Sequence, residues 1–206
     1  MDKQSRKAHW EKIYSTKLFT EVSWYQAEPQ VSMDYIEAME LATHAAILDV
    51  GGGDSFLVDR LLAAGYTNIT VLDISEKAIK RAQKRLGAAA KQVTWVVSDL
   101  LDYSPDHSFD FWHDRAVFHF LTQSEEQQAY VALAAQHLQS EGKLVIGTFS
   151  DQGPTRCSGI DIQQYSEGSL LERFQPPFRQ LFAERLPHQT PFDTVQEFLF
   201  MGFELP

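Results

Sequence analysis

Asp49-Val50-Gly51-Gly52-Gly53 stands directly behind a short apolar run and directly ahead of a helical pattern. Glycines let a chain turn tightly and let its backbone approach a ligand with no Cβ in the way. The helix start behind them presents free N–H groups. Asp49 can accept hydrogen bonds from a cationic amino group, or orient the loop through water. Asp73 ends the next apolar run, 24 positions later. Nucleotide-binding α/β folds place there the acid that bonds the ribose hydroxyls. The pair points to a nucleoside-bearing cofactor held by Asp49, Gly51, Gly52, Gly53, Asp73 and the adjoining Ile74. The plain alternative is a tight turn, with Asp73 capping the next helix. The dinucleotide fingerprint G-x-G-x-x-G/A needs a small residue where this chain has Phe56, which argues against a nicotinamide cofactor.

A second group lies in His113-Asp114-Arg115-Ala116-Val117-Phe118-His119. Polar residues at the carboxyl end of a strand in an open α/β sheet belong to a ligand site or to an ion pair. Asp114, His113 and His119 are the candidate general bases. Arg115 and Arg156 are candidates to hold an anionic acceptor, because a guanidinium binds a carboxylate bidentately. His119 and Cys157 would line the same mouth, and a structural Asp114–Arg115 pair is the alternative. The chain has one cysteine and no H-E-x-x-H helix, so no metal site is expected.

The elements that must position these residues alternate. Ala45 to Val50, Asn68 to Ile74, Val93 to Val97, Phe109 to His113 and Lys143 to Phe149 read as strands. Phe56 to Ala64, the segment capped by Ser75, and Gln123 to Leu138 read as helices between them. The basic run Lys80, Arg81, Lys84, Arg85 reads as the solvated face of the second of these. After a helix at Glu167 to Phe174 come two strand-like segments, Arg179 to Leu186 and Thr194 to Glu204, joined by a turn marked by Pro187 and Pro191. Alternation of this kind implies an α/β fold with a mostly parallel sheet and helices on both faces.

βα units finished by an antiparallel hairpin, with the DVGGG loop, resemble the class I S-adenosylmethionine-dependent methyltransferases over about residues 31 to 206. The family's loop is acid-x-Gly-x-Gly-x-Gly, and this chain departs from it only at Ser55. The resemblance implies a single-domain, Rossmann-like seven-stranded sheet with S-adenosylmethionine as cofactor. It implies that Ser98-Asp99-Leu100 forms the adenine site, with Asp99 accepting the exocyclic amine and Leu100 covering the ring. It also places His113 beside the sulfonium. Residues 1–30 carry Trp10, Tyr14, Phe19, Trp24 and Tyr25. Trp10, Tyr14 and Trp24 are expected as cofactor contacts in a lid, where rings beneath a sulfonium would add cation–π attraction. The opener, HDRAVFHFLT and GTFSDQGPTRCSG are similar to small stand-alone bacterial members. The W-x-x-x-Y opener also has a looser likeness to elongation-factor lysine methyltransferases.

Composition narrows the partners. The net charge is -10, with no basic cluster suited to neutralising phosphates, so nucleic acid is not expected as partner. No run approaches the roughly 18 apolar residues of a membrane span, and the N-terminus lacks the apolar core of a signal peptide. A cytoplasmic protein is the expectation. Methyl transfer is an in-line displacement in which the enzyme supplies proximity and alignment. It needs a general base only when the acceptor is protonated. A small-molecule acceptor with an S, O or N nucleophile is expected. Protein-lysine methylation and a non-catalytic cofactor-binding module are the alternatives.

Overall fold

The computed structural model describes residues 2–206, in two compact units, 2–103 and 104–206. In the first unit, helix α1 (Lys3–Thr16) and helix α2 (Gln30–Ala38) precede strand β1 (Ala46–Val50). Helix α3 (Leu57–Ala63), strand β2 (Asn68–Asp73), helix α4 (Glu76–Leu86) and strand β3 (Val93–Val97) follow. β1 and β3 both pair with β2 in parallel. Strand β1 is buried from end to end, which explains its unbroken apolar run. Ser75 caps α4 by accepting from the Ala78 N–H at 3.2 Å, as its sequence position predicts.

The second unit contains strand β4 (Phe109–Arg115), helix α5 (Ser124–His137) and strand β5 (Leu138–Phe149). The short hairpin β6 (Arg156–Cys157) and β7 (Ile160–Asp161) precedes helix α6 (Glu167–Phe174) and the strands β8 (Arg179–Gln189) and β9 (Val195–Glu204). β4 runs parallel to β5, and β9 is antiparallel to both β5 and β8. The seven strands are ordered β3-β2-β1 in the first unit and β4-β5-β9-β8 in the second. This is the mostly parallel α/β sheet with an edge hairpin expected from the sequence. The β6–β7 hairpin was not anticipated, and β5 starts at Leu138 where a helix end was expected. No helix among the described residues is long and apolar enough to cross a membrane.

The second unit's core is aromatic. Trp112 packs on Tyr130 at 6.0 Å between ring centroids, and Tyr130 on Phe118 at 4.8 Å. Phe118 meets Phe174 at 5.1 Å, and Phe174 stacks on Phe203 at 4.7 Å. This ladder ties β4, α5, α6 and β9 together around the root of the segment that carries His113 to His119. Edge-to-face and offset pairs of this kind add about 0.5–1.5 kcal/mol each beyond their buried area.

Candidate active site

In the N-terminal unit the chain leaves β1 through the glycine loop. Gly51 and Gly53 have φ of 67° and 42°. A Cβ on Gly53 would lie 2.6 Å from Asp73 Oδ2 and 3.2 Å from the Tyr14 hydroxyl. A Cβ on Gly52 would press on the Asp49 carboxylate, 2.8 Å from its Cγ, and stand 2.9 Å from Val71 Cγ1. The loop is thus moulded around Asp49, Asp73 and Tyr14, with no room for larger residues. Gly52→Ala is expected to destabilise the fold by about 1–3 kcal/mol, as overpacking does. It should weaken cofactor binding as well, through the shift forced on Asp49. Thermal melts and calorimetry with the cofactor check both effects.

Asp73 is 6% exposed and accepts the Ser75 N–H at 2.7 Å on Oδ1. Burial raises its pKa to about 7, opposed by the Ser75 hydrogen bond and reinforced by the charges of Asp49, Glu11 and Asp54. Tyr14, from α1, is also buried, and its pKa is driven well above the ordinary value by burial and by the charges of Asp73 and Asp54. Its hydroxyl therefore stays protonated. Ile74 is half-buried beside these groups in the chain.

The N-terminal aromatics form two groups. Trp10 meets Trp24 edge-on at 5.6 Å, and Tyr14 meets Trp24 at 6.5 Å. Phe19 packs on Tyr25 at 5.0 Å and on Phe56 at 5.4 Å. Phe56, which spoils a dinucleotide fingerprint, is therefore a packing residue. Ser55 replaces the family's last glycine and accepts the Leu57 N–H at 3.1 Å from one residue ahead of Phe56, the N-cap of α3. α1 is fastened to its unit by Glu11, whose Oε1 accepts the Glu76 N–H at 2.6 Å, and by a Lys77–Ser15 hydrogen bond.

Asp99 accepts the Leu101 N–H at 3.0 Å and pairs with Arg6 of α1 at 3.3 Å. Both side chains of this pair are nearly buried. Ser98 donates its N–H to Asp73 O at 3.1 Å and its hydroxyl to Asp99 O at 2.9 Å, and Leu100 is buried. Sequence reasoning missed Arg6, which lies 93 positions from its partner. It also misread part of the basic run of α4. Lys80 does pair in solvent with Glu76. Arg85, however, clamps Asp54 at 2.7 Å and Asp59 at 2.8 Å and lies over the Phe56 ring at 4.5 Å. Arg81 donates to Lys17 O at 2.8 Å and reaches Asp54 at 3.5 Å. The two arginines brace the glycine loop because Asp54 is buried and needs cations. Burial still leaves its pKa raised against their opposing charges.

In the C-terminal unit, His113 is 3% exposed and Asp114 fully buried. Asp114 Oδ1 accepts the Val117 N–H at 2.9 Å, and Oδ2 accepts the Phe118 N–H at 3.1 Å and the Tyr130 hydroxyl at 2.9 Å. Its pKa is raised to about 6 by burial, against these hydrogen bonds. The carboxylate thus closes the turn after β4, where Ala116 sits at φ 71°. Arg115 lies over the Phe198 ring at 4.8 Å. His119 is fully buried, stacked on Phe149 at 4.8 Å, and its Nδ1 accepts the Phe149 N–H at 3.3 Å. Arg156 is exposed and braces its own hairpin, reaching Asp161 at 2.8 Å and Gly159 O at 2.8 Å. Cys157 is buried in that hairpin and interacts electrostatically with Arg115.

A family model described as "Methyltransferase domain" matches residues 47–142, which include the glycine loop, Asp73, Asp99 and the His113 to His119 segment. Residues 47–142 are a methyltransferase domain, carried on the class I fold. The methyltransferase is 24% identical over 191 residues to EEF1A lysine methyltransferase 2 of Danio rerio, covering 85% of this chain and 76% of the relative. It is 30% identical over 116 residues to Nodulation protein S of Rhizobium tropici, covering 56% of this chain and 48% of that protein. It spans about half the length of that bacterial relative. Its fold is similar to that of the Burkholderia thailandensis 1,6-didemethyltoxoflavin-N1-methyltransferase bound to its substrate and S-adenosylhomocysteine. The TM-score is 0.72 at 17% identity, over 100% of this chain and 91% of the other.

Proposed function

We propose that this methyltransferase acts on a small-molecule acceptor. The observation that carries this reading is the burial of the candidate acceptor-side groups. His113 and His119 lie inside the C-terminal unit, and the Gln163 N–H donates to His119 O at 2.8 Å in the chain leaving the β6–β7 hairpin. A protein partner needs a broad surface, roughly 20–30 residues a side. Enclosed polar groups on a short turn suit a small molecule better.

The cofactor, when bound, supplies an electrophilic methyl group on a sulfonium. In the proposal Asp73 accepts the ribose hydroxyls, Asp49 faces the cationic amino group, and Ile74, Ser98, Asp99 and Leu100 frame the adenine. Trp10, Tyr14 and Trp24 cover it from the segment 1–30. The tight loop at Gly52 and Gly53 and the convergence of Asp73 and Tyr14 on Gly53 support these roles. Positioning is the enzyme's main contribution, since the leaving group departs neutral. Asp114, with its carboxylate committed to the turn, is better read as the support of the His113–His119 segment than as a base.

The likeness to EEF1A lysine methyltransferase 2 over 85% of the chain favours a second reading, protein-lysine methylation. Methyl-labelled S-adenosylmethionine, offered with a panel of small thiols, phenols, amines and carboxylates beside a whole-cell lysate, separates the two. Label in small products is the expected result. Label only in lysate protein would overturn the small-molecule reading.

A further inference from the structure

The C-terminal unit contains a buried hydrogen-bond donor that its own fold does not use. A backbone N–H can only donate, so the Phe149 N–H fixes the lone pair of His119 on Nδ1. In the neutral ring the proton then sits on Nε2. That atom is buried and meets no hydrogen-bond partner among the described residues. Burial, and then the Arg115 charge, lowers the His119 pKa to about 3, so the ring stays neutral at any working pH. A neutral imidazole with its lone pair engaged has nothing left to take a proton. His119 is therefore a donor and not a base.

Buried polar groups left unmatched are costly and persist where something else rewards them. The surroundings indicate what does. His119 stacks on Phe149, Phe149 meets Phe198 at 4.9 Å, and Phe198 carries the Arg115 guanidinium at 4.8 Å. A donor and a fixed positive charge thus share one aromatic wall. Asp151 and Glu197, from the same unit, are engaged by Arg185 at 2.7 and 3.0 Å. Glu197 also accepts from the Ser150 hydroxyl at 2.7 Å. Such a wall attracts an oxyanion and repels an ammonium.

Resting on the small-molecule reading above, we propose that the acceptor carries a carboxylate, that His119 Nε2–H donates a hydrogen bond to it, and that the Arg115 charge stabilises it. The carboxylate is the recognition handle, and the methyl goes to a different atom of the acceptor.

Asparagine and glutamine at position 119 separate the two ends of the imidazole. His119→Asn keeps an acceptor near the Nδ1 position for the Phe149 N–H and deletes the Nε2 donor. His119→Gln keeps a donor near Nε2 and gives up the acceptor. Full-length wild type and variants, saturated with S-adenosylhomocysteine, are titrated calorimetrically with benzoate, phenylacetate and 3-phenylpropionate. Each acid is compared with its amide and its amine. At least one carboxylate should bind at least tenfold more tightly than its amide and amine. His119→Asn should weaken it roughly ten- to hundredfold, the range for a hydrogen bond to a charged group. His119→Gln should retain most of the affinity while melting at a lower temperature. If no carboxylate outbinds its amine, or if His119→Asn binds like wild type, the proposal fails. Label transfer in the same samples distinguishes that failure from the other. Transfer to small amines without preference for carboxylates overturns the anion assignment alone. Transfer confined to lysate protein overturns the small-molecule reading beneath it.

Discussion

Asp73→Asn is expected to lose roughly ten- to hundredfold in cofactor affinity at pH 8 and, at the same pH, to melt at a higher temperature than wild type. The affinity loss follows from exchanging a charged acceptor of hydroxyl hydrogen bonds for a neutral one, a difference of about 1.5–3 kcal/mol. The gain in stability follows from burial. Asp73 is 6% exposed with three other carboxylates acting on it, and its pKa is raised to about 7 from an ordinary 3.8. A group whose pKa is raised on folding binds more protons in the folded state between those two values. Stability therefore rises as pH falls from about 7 toward 4, and the contribution is lost as pH rises through 7. Asparagine is neutral throughout and can still accept the Ser75 N–H, so it escapes that loss. Cofactor affinity should follow the opposite sign. Binding that requires the ionised carboxylate weakens by about tenfold between pH 8 and pH 6, and the variant should show no such slope. Calorimetry with S-adenosylhomocysteine across that range, with melts in the same buffers, tests both. A variant that binds as tightly as wild type would remove Asp73 from the cofactor site. A variant that also melts lower at pH 8 would mean that the buried charge is compensated by contacts beyond the Ser75 hydrogen bond.

What could be read from the sequence was whatever depends on neighbours in the chain. β1 and β2 are apolar runs ended by a glycine or an acid, β3 is a valine-rich run, and the bounds of all three fall within a residue of expectation. The Ser75 cap is likewise local chemistry. What could not be read depends on distance along the chain. Arg6 meets Asp99 only because α1 packs along its unit, and no local pattern links positions 93 apart. Arg81 and Arg85 looked like a solvated stripe because helical periodicity says which residues share a face, not which acid that face meets. Asp54, the acid they meet, was hidden inside the glycine motif. The sequence marks the His113–His119 segment as polar residues in an apolar setting, and in the structure those residues divide by partner. Asp114 serves the turn and the Tyr130 hydroxyl, while His119 retains an unmatched donor. Residue types alone do not make that division, because both types serve equally as bases and as struts.

Asp114→Ala is expected to destabilise the protein by about 3–5 kcal/mol, enough to threaten a marginally stable domain. The substitution strips three donors of one buried acceptor, namely the Val117 N–H, the Phe118 N–H and the Tyr130 hydroxyl. Hydrogen bonds to a charged group contribute about 1.5–3 kcal/mol each, and shared networks lose less than the sum of their parts. The Tyr130 hydroxyl also accepts the Trp112 indole N–H at 3.0 Å, so the damage reaches the aromatic ladder between β4 and α5. Tyr130→Phe is the graded control. It removes one donor to Asp114 and leaves the turn's two backbone bonds intact, so it should cost about 1–2 kcal/mol. Urea denaturation of both variants gives the comparison. The distinction that matters is between strut and base. A strut loses stability in proportion to the hydrogen bonds removed, and the Tyr130→Phe variant keeps its turnover at temperatures where it remains folded. A base would give an Asp114→Ala protein as stable as wild type with turnover abolished. With its carboxylate closing a left-handed turn and fully enclosed, Asp114 should behave as the strut, and the acceptor chemistry then falls to the groups that turn holds in place.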